Sequence, residues 1–359
     1  MGRAPFVLSE TSYMSKRIVA HLLPCSALCV SLSAFGQLGE DGPPGSPTGP
    51  RLLRVTTSTL PDTPESRAHK EAAMRMAGGD PVLTKAWNFF CTPTRYNEPG
   101  VEIEPAKVFD NLYAIPSSPV QQTTLWAITT SDGIILIDSG QQGRTEAIVA
   151  ELEQVGLDPA DVKYILLGHG HGDHYAGAAY FQERYGTRIG TTAADWNLIH
   201  PPNRPASGGN ETARPRRDLV LEEGTPVRLG GQTVHIIEVP GHTPGSVAFI
   251  FNVTENGETH TAGLFGGTVL DQPRLTDEEL NQYLSSIDHY LGFVRQMGVD
   301  VEIQNHAMFD DTPGRLARLA ARRPGEPNPF LMSTDAYIGF WNLITECIQS
   351  ELARRPADR

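Results

Sequence analysis

Hydrophobic and polar positions fall in blocks along this chain, and the blocks predict a succession of strands and helices. "TLWAITTSDGIILIDSG" reads as two β-rich apolar runs around Ser131-Asp132-Gly133, a hairpin signal. "RTEAIVAELEQVG" spaces its apolar residues at helical intervals and stops at Gly156. "VKYILL" reads as a buried strand, and "HYAGAAYFQERYG" as a helix closed by Gly186. A second series comes next with "PVRLGGQTVHIIEVPGH" and "GSVAFIFNVTENGETHTAGLF", the latter turning at Asn256-Gly257. A long helix is predicted from about Thr276 to Met297, then "VDVEIQNH", and a last helix from roughly Thr334 to Arg354. Two β-rich halves, each followed by helices, predict an α+β fold of two sheets packed between helical layers.

The patterning changes upstream. After Met14 the chain reads "MSKRIVAHLLPCSALCVSLSAFGQ", with a Lys16-Arg17 head, an apolar stretch from Ile18 to Leu32, and Ala34-Phe35-Gly36 as a small-x-small site. That is the pattern of a secretory signal, assigned to residues 1–36, with Met1 or Met14 as its start. The run holds His21 and Pro24 and is short for a spanning helix, so no membrane attachment is expected once the signal is removed. "GEDGPPGSPTGPR" comes after it, too rich in Gly and Pro to pack, so residues 37–80 are expected to form a flexible linker and N-terminal segment. The expected location is secreted or periplasmic.

Composition narrows the partners. The 359 residues are 39% apolar, enough for a sizeable core, and carry a formal charge of −13. With no Lys/Arg cluster beyond Arg214, Arg216 and Arg217, nucleic acid and anionic membranes are excluded as expected partners; a small molecule and a monomeric state are expected instead. Beyond the leader two cysteines remain, Cys91 and Cys347, which can form one disulfide or stay as two buried thiols. Asn210-Glu211-Thr212 and Asn252-Val253-Thr254 match glycosylation acceptors in an exported chain.

The chemistry is concentrated in "LLGHGHGDHYAG". His169, His171, Asp173 and His174 crowd behind a hydrophobic strand, a costly placement unless something binds them. Residues two apart on an extended strand end point the same way, so His169, His171 and Asp173 can face one point while His174, opening the next helix, turns to a neighbouring one. One loop can then serve two adjacent metals, with Gly168, Gly170 and Gly172 letting the backbone bend around them. Imidazole and carboxylate donors without thiolate suit Zn²⁺, two ions per chain, although Fe and Mn accept the same ligand types.

"HGHGDH", together with "EVPGHTPGS", "IQNHAMF" and "ILIDSG", resembles the metallo-β-lactamase superfamily across about Val108 to Phe330. The order of these motifs, with "NLYAI", "AADWNLI" and "EPNPF", is most similar to the β-lactamase subclass that has a three-histidine first zinc site and an Asp-His-His second site. The resemblance implies a four-layer αββα sandwich, with residues 81–359 as the hydrolase domain. It implies that His169, His171 and His242 hold the first metal, and Asp173, His174 and His306 the second. Asp138 in "ILIDSG" reads on its own as a strand-end cap; the resemblance makes it a group that orients a ligand or the metal water, and the cap and orienting roles are compatible. His200, His235, His260 and His289 match nothing in the pattern.

The resemblance also implies hydrolysis of an amide or ester carbonyl by metal-bound hydroxide, because zinc lowers the pKa of bound water from near 15.7 to about 7. Asp173 would orient that nucleophile. Lactonases, glyoxalase II and processing nucleases of the superfamily place a bridging aspartate after the strand corresponding to "HTAGLFGG", where this chain has Phe265-Gly266-Gly267-Thr268. The three-histidine lactamases carry serines there that help bind the substrate carboxylate, so Gly267 and Thr268 become candidate substrate contacts. The expected function is that of an exported dizinc hydrolase with β-lactams among its candidate substrates; the alternative is a lactonase or other small-ester hydrolase of the same fold.

Overall fold

A computed structural model describes residues 58–92, 103–118, 123–202 and 213–356. The proposed signal segment and the acceptor at Asn210 lie outside them. The described chain opens with α1 (Pro64–Ala77) and α2 (Pro81–Phe90). Five strands come next with one helix among them: β1 (Ala106–Phe109), β2 (Leu112–Ser118), β3 (Thr123–Thr130), β4 (Gly133–Ile137), α3 (Thr145–Gln154) and β5 (Val162–Leu166). Then come α4 (Gly172–Tyr175), α5 (Ala178–Tyr185), β6 (Arg188–Thr191), α6 (Ala193–Ile199) and β7 (Leu219–Val220). The second half holds β8 (Val227–Leu229), β9 (Gln232–Glu238), β10 (Val247–Glu255), β11 (Glu258–Phe265), α7 (Asp277–Met297), β12 (Val301–Glu302), α8 (Thr312–Ala320) and α9 (Thr334–Leu352).

Among the described residues, β1 to β7 form one sheet in sequence order, and a second sheet runs β12-β11-β10-β9-β8. The first is antiparallel through β4 and parallel from β4 to β7. Strand alternation explains the layers. On β4, Ile135 and Ile137 point into the space between the sheets, whereas Ile134 and Leu136 point to α3 and α5. On β10, Val247, Phe249 and Phe251 meet them from the other sheet, and Ala248 and Ile250 face α7 and α9. Both faces of these strands are buried, which is why they read as unbroken apolar runs. Each fully buried Ile or Phe contributes roughly 1.5–3 kcal/mol. The result is helix, sheet, sheet, helix, the expected αββα sandwich.

Local signals set the boundaries. Thr276 and Glu279 form a reciprocal cap at the start of α7, and Gly298, at φ 65°, ends it. Asn256 and Gly257, at φ 52° and 86°, make the tight turn between β10 and β11. Two expectations change. Residues 64–77, placed by sequence in a flexible segment, form α1, capped by Thr63 and pinned to α9 by Ser350 Oγ donating to the Ser66 carbonyl at 2.9 Å. "HYAGAAYFQERYG" is not one helix but α4 and α5, because the chain turns at Gly177, packed against Ser139. Among the described residues no helix is long and apolar enough to cross a membrane.

Cys91, at the end of α2, and Cys347, inside α9, are joined as a disulfide across 256 residues. Closing so long a loop restricts the unfolded chain. Reduction, or Cys347→Ala, is expected to lower unfolding stability by about 2–5 kcal/mol, read from denaturant melts with and without reductant. Identical midpoints in both would show that the bond carries no stability.

Candidate metal centre

The two sheets touch backbone to backbone near the start of β10, as they do near its end, where Asp110 N–H donates to the Thr254 carbonyl at 2.7 Å. Between the sheets, Val247 N–H donates to the Gly168 carbonyl at 2.9 Å; within the second sheet, Gly266 N–H extends the β10–β11 ladder by donating to the Val247 carbonyl at 3.0 Å. A Cβ on Gly266 would press into both carbonyl oxygens, so only glycine fits. The histidine-bearing loops leave the sheets around this seam.

All six candidate ligands converge there. His242 Nε2 lies 3.1 Å from His169 Nε2 and 3.0 Å from His171 Nδ1. His174 Nε2 lies 3.1 Å from His306 Nε2 and 3.5 Å from Asp173 Oδ2, which is itself 3.8 Å from His306 Nε2. His169 adjoins the second group as well, its donor atom within 4.8 Å of those of Asp173 and His174. The strand-period reading, which grouped Asp173 with His169 and His171, is corrected: the strand ends at Leu166 and α4 begins at Gly172, so a helical turn carries Asp173 toward His174. Gly168, Gly170 and Gly172 do not take left-handed backbone either. Gly170 is instead crowded, since a Cβ would lie 3.1 Å from the Asp195 carbonyl oxygen.

The donor set fits a cation. A ring nitrogen bears either one proton or one lone pair, so His242 Nε2 cannot hydrogen-bond to both neighbours, whereas a shared ion accepts all three lone pairs. The separations approach the roughly 3.3 Å edge of a tetrahedron built on ~2.0–2.1 Å zinc–nitrogen bonds. His169 Nδ1 is buried with no hydrogen-bond partner, leaving Nε2 as the ring's directed contact. Burial, then the neighbouring imidazoles, push His169 well below its usual value, keeping it unprotonated and ready to ligate. Burial opposes ionisation of Asp173, but His174, His306 and His171 outweigh it and draw the carboxyl down to about 2.

Asp138 sits buried at φ 62° just after β4, a conformation rare for a residue with a side chain. Its carboxylate accepts from Gly168 N at 2.8 Å, from Asn305 Nδ2 at 3.0 Å and from His174 Nδ1 at 2.7 Å. A carboxylate can only accept, so His174 carries its proton on Nδ1 and presents a lone pair at Nε2. Burial works against a charge on His174, yet Asp173 and Asp138 overcome it and raise its pKa.

The His306 loop is held from below. Arg315 and Glu302, both fully buried, pair at 2.6 Å, and Gln304 bonds Glu302 at 2.8 Å while its carbonyl accepts from Trp126 Nε1 at 2.8 Å. Removing one partner of such a pair costs about 3–5 kcal/mol. This network accounts for Thr268, whose candidate role as a substrate contact does not stand. It is fully buried, with its hydroxyl 2.7 Å from Gln304 Oε1 and 2.9 Å from the Phe265 carbonyl. Gly267 backs onto a ligand instead: at φ 76°, its Cβ would stand 2.6 Å from His242 Cβ. Four residues that sequence reading did not single out complete the surroundings: Asn305, Asp195, Thr243 and Ser246. Asn305 lies inside "IQNH" and Asp195 in the first turn of α6, neither at a ligand spacing that marks it. Three of the four other histidines named from the sequence are otherwise engaged, His260 with Asp300 at 2.7 Å, His289 with Glu223 at 2.8 Å and His200 with the Pro215 carbonyl at 2.8 Å.

Two sheets sandwiched between helices, with this cluster at the strand ends, define a class. Residues 118–254 match the model of the metallo-beta-lactamase superfamily. The chain is similar to a hydroxyacylglutathione hydrolase of Cereibacter sphaeroides, 41% identical over 87 residues, which are 24% of this chain and 28% of the relative. The chain spans less than half the length of the first curated relatives it matches. In structure it is similar to BJP-1, a subclass B3 metallo-beta-lactamase of Bradyrhizobium japonicum, with TM-score 0.57 and 24% identity, covering 72% of this chain and 96% of that one. It is also similar to the metallo-beta-lactamase GOB-18 of Elizabethkingia meningoseptica, with TM-score 0.55 and 20% identity, covering 72% and 96%. At these identities the structural likeness speaks for the fold.

His242→Ala and His306→Ala are each expected to lower zinc content by about one equivalent, with His260→Ala unchanged, by elemental analysis of purified protein. If His260→Ala emptied a position while His306→Ala did not, the assignment would be wrong. Gly267→Ser is expected to weaken zinc binding, because its side chain displaces His242; unchanged affinity in a chelator competition would contradict this packing.

Proposed function

We propose that the protein is an exported, monomeric dizinc hydrolase that opens an amide or ester carbonyl of a small molecule, with β-lactams the first candidate substrates. The observation that carries this reading is the set of six donors in two groups of three, with Gly266 and Gly267 where a bridging carboxylate would stand. His169, His171 and His242 would hold one ion and Asp173, His174 and His306 the other. Zinc supplies an activated water at neutral pH and polarises a carbonyl.

The chain's own groups set the rest. Asp173, held ionised, offers Oδ2 as a hydrogen-bond acceptor that can orient the attacking water. Asp138, with its proton-bearing partner His174 Nδ1 and the Asn305 amide, keeps the lone pair of His174 Nε2 directed inward. His171 is exposed and His242 and Asp173 are half-buried, so the substrate side is the side of the three-histidine group. The Cys91–Cys347 bond supports export, since such bonds persist in oxidising compartments.

A second reading, a small-ester or lactone hydrolase without β-lactam activity, is favoured by the local identity with hydroxyacylglutathione hydrolases and by the loss of the Thr268 hydroxyl to Gln304. Zinc-loaded protein is expected to hydrolyse at least one of a penicillin, a cephalosporin, a carbapenem, a lactone, a thioester or a simple ester. Turnover should disappear with chelator and return with zinc. Two bound zincs with no turnover of any of the six would sink the hydrolase reading, and esters cleaved without β-lactams would select the second. Because protons compete for the histidine nitrogens, activity is expected to fall below about pH 6, and full activity at pH 4 would contradict the ligand set.

A further inference from the structure

One carboxylate in the structure fastens both loops of the three-histidine group. Asp195, in the first turn of α6, is fully buried. Its Oδ2 accepts from Gly170 N at 2.7 Å and from Thr243 Oγ1 at 2.7 Å, and its Oδ1 accepts from Gly245 N at 2.9 Å. Gly170 lies between His169 and His171, and Thr243 directly follows His242. Three donors from two separate loops therefore end on one side chain. Neighbouring groups brace the same point: Thr192 Oγ1 donates to the Gly245 carbonyl at 2.9 Å, and Ser246 Oγ lies 2.8 Å from Thr243 Oγ1.

A buried carboxylate with no cationic side chain among these contacts is costly, and three short hydrogen bonds from fixed donors offset that cost. What those bonds hold constant is the separation of the two loops, hence the 3.0 and 3.1 Å spacing of His242 Nε2 from His171 and His169. Asparagine has nearly the same shape but only one accepting oxygen. Either Gly170 and Thr243 or Gly245 would then face an amide N–H₂, and one loop would be released.

We infer that Asp195 is a positioning residue that preorganises the three-histidine metal position by clamping the His169–His171 loop to the His242 loop, while leaving the Asp-His-His position unaffected. This rests on the two-metal reading above. The test is zinc affinity by chelator competition, read in a His306→Ala background, which keeps the first position, and in a His242→Ala background, which keeps the second. Asp195→Asn is expected to weaken the first position about 10–100-fold, the scale of lost ligand-orienting partners, and the second by less than twofold. Thr243→Val, which removes one donor and leaves the carboxylate, is expected to act in the same direction more weakly, and Thr243→Ser to keep wild-type affinity. Should Asp195→Asn fail to fold, the Thr243 pair decides. Equal weakening of both positions, or a first position within twofold of wild type in Asp195→Asn, overturns the clamp. A parent protein that binds no zinc overturns the two-metal reading along with it, so the two failures are told apart.

Discussion

The structure depends on the seam at Val247. Across their middle the sheets are held apart by interlocking side chains, as stacked sheets usually are, at about 10 Å. At Val247 the spacing collapses to hydrogen-bond length, because Gly168 and Gly266 carry no side chain to keep the strands apart. The loops that leave the strands at this contact start within reach of each other. His169 follows Gly168 directly, Gly267 follows Gly266 and backs onto His242, and the chain from His242 returns to Val247 in five residues. Residues distant in sequence thus arrive at one point through main-chain contacts that depend on the missing side chain at Gly266.

Much of this is legible in the sequence, for physical reasons. Strands buried on both faces leave apolar runs, and the turns at Asn256-Gly257 and the cap at Thr276 are local devices with local signatures. Four candidate ligands, His169, His171, Asp173 and His174, can be named because such side chains behind a buried strand have few other uses, whereas His242 and His306 are named only through the resemblance. What escapes reading depends on three-dimensional neighbours. Nothing along the chain tells that Thr268 turns inward to Gln304, a partner 36 residues away. The helical path of Asp173 is lost when strand period is carried past the end of β5. Residues 64–77 look like a continuation of the Gly/Pro-rich stretch, although α1 docks on α9, the last helix of the chain, and gains its order from there.

Charge is handled differently on the two sides of the cluster. On the His306 side a guanidinium, Arg315, compensates buried acids, and Asp310 nearby is driven up to about 7 by burial and by Glu302. On the His242 side Asp195 is met by peptide and hydroxyl donors instead. These donors belong to the loops themselves, so the bonds to Asp195 fix the loops that carry them. The more open group, with His171 exposed, is the one so held.

The Cys91–Cys347 bond has a topological consequence. Residues 91 to 347 form a covalent ring, and all six candidate ligands, Asp138, Asp195 and the Val247 seam lie within it. A single peptide cut anywhere on that ring opens the circle without separating its contents. Even a cut between His169 and His306 leaves the two fragments chained through the sulfurs, so both halves of the ligand set remain one molecule and refolding of the nicked protein stays a unimolecular event.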